Sequence, residues 1–96
     1  MSEDLVLGAT ALDPQIRAAA IKALGEQRRV DGVQALIFAL ATAEPATADL
    51  AVTALVQIGP PAVGPLRVAL EHDVDDLVRA RLQNALTRLS QGVENP

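Results

Sequence analysis

Apolar positions along the chain fall at helical spacing, and the blocks they form then recur. From Val33, at about 100° per residue, Val33, Leu36, Ile37 and Leu40 share one helix face, with Phe38 pointing roughly opposite. The block VQALIFAL (Val33 to Leu40) returns as VGPLRVAL (Val63 to Leu70), a displacement of 30. A second block, DPQIRAAAIKALG (Asp13 to Gly25), reads as the first turns of another helix. Moving on by 31 from Asp13 lands on Glu44, and by 31 again on Asp75. The neighbours keep step: Pro14 becomes Pro45, Ala20 becomes Ala51, and Ala23-Leu24 returns as Ala54-Leu55 and Ala85-Leu86. The difference between the two displacements means that one residue is lost in an intervening turn.

A fixed period of this size, about 31, with each unit a helix pair, is the signature of a solenoid, whose units stack because none buries its apolar face alone. The spacing predicts helices at 14–25, 31–42, 46–58, 62–71 and 75–90. Asp13-Pro14 and Glu44-Pro45 are entry signals, since a carboxylate caps free N–H groups and proline fits the first helical position. Gly25 and Gly59-Pro60 mark the exits. Residues 3–11 fall where a preceding second helix would lie, with Leu5 and Val6 standing 31 before Leu36 and Ile37. Gly8 costs such a helix about 1 kcal/mol against alanine, which leaves a frayed tail as the alternative. The resulting division is one domain over 1–96: a half-repeat helix or tail (1–12), unit one (13–42), unit two (43–73), a capping helix (74–90) and a tail (91–96).

The capping reading comes from residue type. An interior unit needs apolar residues where its neighbour covers it, and a terminal unit polar ones. Ile21 and Val52 become Gln83, and Gly25 and Val56 become Thr87, so the array is expected to finish within this chain as a complete short protein.

Composition narrows the picture. Of 96 residues, 50% are apolar, chiefly Ala, Leu and Val, with one Phe and no Tyr or Trp, which favours close helix packing and an all-α fold. The net charge of −4, with one Lys and seven scattered Arg, argues against nucleic acid as a partner, since phosphate binding needs a basic stripe. There is no cysteine, hence no disulfide and no thiolate chemistry. The N-terminal MSEDLVLGATAL is acidic at its start and too short in apolar run to span a bilayer or to serve as a signal peptide, so no membrane and a cytoplasmic location are expected.

DPQIRAAAIKALG…VDGVQALIFAL and ALVQIGPPAVGPLRVALEHDVDDLVRARLQNAL together resemble HEAT repeats, an armadillo-type fold, and in particular the short phycocyanobilin-lyase-like kind. The resemblance covers about 13–90 and implies a short α-solenoid of about five helices. It departs at one place: the early arginine of the first helix is present as Arg17 and Arg79 but is Ala48 in the middle unit, which interrupts any Asp–Arg ladder along the stack.

Candidate chemistry is sparse. Ser2 and Ser90 lie near the chain ends, Lys22 is the sole lysine and His72 the sole histidine, so no nucleophile–base pair is apparent and no catalytic residue is assigned. The cluster EHDVDD (Glu71 to Asp76) gathers four carboxylates and one imidazole, but lacks the glycine and distant glutamate of a calcium loop and offers zinc one nitrogen. A metal-dependent hydrolase built on it is a third reading; an interhelical turn with Asp73 or Asp75 as N-cap is preferred, and neither metal nor cofactor is expected. Gln27-Arg28-Arg29, a conceivable anion site, and Gly59-Pro60-Pro61, a conceivable proline-recognised ligand, are both read as turns.

The sharpest clue is Phe38. Its counterpart one unit later is Val68, opposite the face of Val63, Leu66 and Leu70, and one unit earlier stands Leu7. In HEAT-like arrays second helices line the concave surface, so Leu7, Phe38 and Val68 would form an apolar row there, flanked by Gln34, Gly64, Arg67 and Glu71. Contiguous exposed apolar surface marks interaction sites. The expected function is therefore a non-enzymatic adaptor or scaffold that binds a protein partner on its concave face, with a homodimer through the same row as the rival. Resemblance to the lyase group implies the alternative of a small subunit or accessory factor in bilin attachment, pigment-protein assembly or degradation, with His72 and Arg67 the first residues to examine.

Overall fold

The computed structural model of the chain describes residues 8–9, 13–42, 44–72 and 74–94. Five α-helices follow one another in that range: α1 (Pro14–Glu26), α2 (Val33–Thr42), α3 (Pro45–Ile58), α4 (Val63–Glu71) and α5 (Asp76–Glu94). Short 3₁₀ turns, Val30–Gly32 and Pro60–Ala62, lead into α2 and α4. The architecture is the all-α, short solenoid that the period demands. The boundaries fall within two residues of those expected except at the end, where the last helix runs on to Glu94, so residues 91–94 belong to α5 and not to a tail. Gly8 and Ala9 are helical and Ala9 is buried in the common core; the rest of 1–12, where a half-repeat helix or a tail is expected, lies outside the described residues.

Each first helix begins with the predicted acidic residue, but only aspartate caps. Asp13 Oδ1 accepts from the backbone N–H groups of Gln15 at 2.9 Å and Ile16 at 3.4 Å. Asp75, the second of the two candidates, accepts from Val78 N–H at 2.9 Å. Glu44 makes no such bond. Its extra methylene carries the carboxylate past the helix start, and Oε1 lies 3.8 Å from Arg17 Nη2 of the preceding unit. Ala48, where the next arginine of this ladder would stand, is buried.

The helix exits differ from expectation at Gly25. This residue sits inside α1, buried against α3, where a Cβ would come 2.6 Å from Ala54 Cα. Its smallness permits close approach of two helices. The exit lies just beyond, where Arg28 adopts a left-handed φ of 54°, Arg28 N–H donates to the Gly25 carbonyl at 3.1 Å and Arg29 N–H to the Leu24 carbonyl at 2.9 Å. Those bonds form the nested pattern that commonly closes a helix, with arginine in the place glycine usually takes.

The helices pack as a stack of first helices with second helices against it. α3 is central, touching α1, α2 and α5, while α4 lies against α5 and α2 reaches both α4 and α5. Leu24, Leu36, Leu40, Leu55, Leu66 and Leu82 are fully buried in one continuous core. Leu86, the counterpart of Leu24 and Leu55, is half-buried, since among the described residues no second helix follows α5 to cover it. Ile21 and Val52 are buried, whereas Gln83 and Thr87 are exposed, so the outer face of α5 is polar where the repeat would otherwise be apolar.

Candidate functional site

The face opposite the core carries the candidate site. On α2, burial of Val33, Leu36, Ile37 and Leu40 leaves Phe38 turned outward and 55% exposed. On α4, Leu66 is buried and Val68 is 52% exposed. Between the two helices runs a groove of about 280 Å³. Gln34, Ile37, Phe38 and Ala41 form its α2 wall, and Pro65, Val68, Ala69 and His72 its α4 wall. Val74, Val78 and Leu82, on α5 and its lead-in, close the third side. Among the described residues, no carboxylate, lysine or arginine lines it.

Helical geometry explains which expected residues belong. Around α4, Pro65, Ala69 and His72 lie to one side of Val68, the side facing α2, and Gly64, Arg67 and Glu71 lie to the other. The last three are exposed but do not line the groove. They are the counterparts, one unit later, of the groove residues Gln34, Ile37 and Ala41. The wall they would form faces away from α2. Of the candidate residues, Gln34, Phe38 and Val68 are thus brought together, Gly64, Arg67 and Glu71 are not, and Leu7 lies outside the described residues. The α5 wall escapes a reading of the sequence in which α5 is only a cap; the regular spacing of Val74, Val78 and Leu82 is the available signal.

His72 ends α4. Its backbone N–H donates to the Ala69 carbonyl at 3.2 Å, and its Nδ1–H donates to the Val68 carbonyl at 2.9 Å. That bond assigns the proton to Nδ1 and leaves Nε2 of the neutral ring as an acceptor. Neighbouring Glu71, Asp75 and Asp76 are exposed. Among the described residues, no three of His, Asp and Glu come together as metal ligands, and Asp75 serves α5 as its cap.

The basic turn is also accounted for. Arg29 and Asp31 form a two-pronged pair, Nε to Oδ1 at 2.8 Å and Nη2 to Oδ2 at 2.6 Å. The Arg29 hydrogen bonds hold the Asp31 carboxyl below its ordinary range, and the same bonds raise the guanidinium. A guanidinium so engaged is not half of an anion clamp. Among the described residues, no single helix is long and apolar enough to cross a membrane.

With this geometry in place, comparison with known proteins gives one finding: residues 2–87 match the family model for HEAT repeats. No curated protein and no solved structure matches the chain.

Proposed function

The chain belongs to the HEAT-repeat family, and from that premise we propose that it is a non-enzymatic adaptor holding a protein partner in the groove between α2, α4 and α5. HEAT repeats are commonly protein-interaction scaffolds and typically non-catalytic. The observation that carries the reading is the pair Phe38 and Val68, each more than half exposed on facing walls of one groove. Placing the only aromatic residue and a valine in water across a cleft supports the core less than burying them would, and such surface marks interaction sites. The proposal keeps nucleic acid and membrane out of the partner list and places the protein in the cytoplasm.

The test is affinity capture from host lysate with the wild-type chain beside a Phe38→Glu/Val68→Glu variant that melts at the same temperature. A protein retained by the first and lost by the second supports the groove. Capture of the same protein by both sinks the reading.

One observation favours a second reading, the short phycocyanobilin-lyase-like type with a role in bilin handling: His72 does line the groove. Arg67, the other residue singled out for it, points away, and about 280 Å³ is small for a linear tetrapyrrole. Mixing the protein with a free bilin and finding no shift of its absorption band would remove this reading.

A further inference from the structure

One position closes both second helices, and the two units fill it differently. Thr42 Oγ1 donates to the carbonyl of Phe38 at 2.8 Å, and 30 residues on, His72 Nδ1–H donates to the carbonyl of Val68 at 2.9 Å. Each bond satisfies a carbonyl of the last turn that the helix leaves without a partner. Threonine suffices for that task, so the hydrogen bond alone does not account for an imidazole. We propose that His72 makes the groove sensitive to pH: an apolar occupant is held while the ring is neutral and released as the ring gains a proton. This rests on the groove being the partner-binding surface.

The bond to Val68 decides where the proton goes. A carbonyl only accepts, so Nδ1 keeps its hydrogen in both states and Nε2 is the nitrogen that titrates. Histidine is the side chain whose ordinary titration falls between about pH 5 and 8, and His72 is the only one in the chain. Its charge enters a lining that otherwise has none. α2 contributes Gln34, Ile37, Phe38 and Ala41 and α5 contributes Val78 and Leu82, none of them titratable. Glu71 lies on the far side of α4 with Arg67, Asp75 caps α5, and Asp76 lies on the opposite face of α5 from Val78. Arg79 is exposed without lining the groove, and Arg81 donates to the Leu40 carbonyl at 2.9 Å. Asp73 lies outside the described residues. Among those described, no carboxylate lines the groove to meet an imidazolium.

The sign of the effect follows from water. In the empty groove His72 is exposed, so its charged form is hydrated. An occupant bedded on Phe38, Val68 and Val78 takes water from the ring that lines the groove with them, and the loss is severe only for a charged ring. Affinity is therefore full where the imidazole is neutral and falls as pH drops through its titration. Thr42 does not titrate, so the response belongs to the α4 wall.

Fluorescence titration with N-phenyl-1-naphthylamine, an uncharged dye that brightens in apolar surroundings, tests the switch without a known partner. Between roughly pH 8 and pH 5.5 the wild type should lose about three- to tenfold in affinity. His72→Thr copies the first unit and keeps the bond to Val68; it should match the wild type at the higher pH and hold that affinity in acid. Should it melt lower, His72→Gln replaces it. Phe38→Ser/Val68→Ser should abolish the signal at both pH values. Binding that needs Phe38 and Val68 but ignores pH, or a pH response that survives loss of the imidazole, would overturn the switch and leave the groove reading standing. Dye uptake indifferent to Phe38 and Val68, or none at all, would overturn both.

Discussion

Arg28 and Gly59 occupy the same place in successive units, one full period apart, and both take positive φ. They turn the chain differently. Arg28, at φ 54°, is followed by Arg29 in extended conformation, whereas Gly59, at φ 88° and ψ −143°, leads directly into Pro60. One glycine thus does the work of two residues, which is why the second-helix blocks recur one position sooner than the first-helix blocks. Gly59 has open space around it, so any cost of a side chain there comes from the backbone. Gly59→Ala should destabilise by about 1–3 kcal/mol, because that conformation is nearly restricted to glycine. Arg28→Gly should do the reverse, by up to ~1 kcal/mol, as relief of left-handed strain exceeds glycine's added chain entropy. Thermal melts would register each kcal/mol as about 4–8 °C, and shifts of equal sign would contradict the assignment. A second pair separates core from groove: Leu36→Ala should cost about 2–5 kcal/mol, and Phe38→Ala only ~1 or less, since over half of its ring is already wet.

At the scale of the elements, the helices themselves are readable because each rests on local signals: an acid before proline, an apolar stripe at helical spacing and a turn. Three details are not readable. Gly25 looks like an exit from its sequence neighbours alone, yet its role is set by Ala54 of α3. Glu44 and Asp13 look alike as caps, but the longer side chain reaches Arg17 instead. Gly64, Arg67 and Glu71 share the outward face with Val68, and only the position of α2 decides which side of that face becomes a groove wall. In each case a local pattern supplies the helix and a non-local neighbour supplies the role. The caps give a direct check. Asp13→Ala and Asp75→Ala should each cost about 0.5–2 kcal/mol, whereas Glu44→Ala, which loses no cap bond but a long ion pair at 3.8 Å from an exposed carboxylate to the half-buried Arg17, should cost ~0.5 or less. A Glu44 variant as damaging as the aspartate variants would show that its carboxylate caps α3 in solution.

For the whole molecule, the stack is too short to behave as a line of units. Its radius of gyration is 12.2 Å, close to the ~12.5 Å expected of a globule of this length. The reason is visible in the packing: α2 of the first unit touches α5 of the third, and Arg81 on α5 donates to the Leu40 carbonyl on α2 at 2.9 Å. A long solenoid unfolds by repeats because each contacts only its neighbours. Here α3 lies against both outer first helices, and α2 bridges across it, so loss of any helix uncovers the core shared by the rest. Unfolding should therefore be a single cooperative transition, with helix content and the environment of Phe38 lost at the same denaturant concentration. Arg81→Leu should lower stability by about 1.5–3 kcal/mol, the worth of a charged hydrogen bond, while keeping the transition single. If helix content falls in two steps in the wild type, the units are energetically separate, and a groove assembled from helices of all three could open and close without global unfolding.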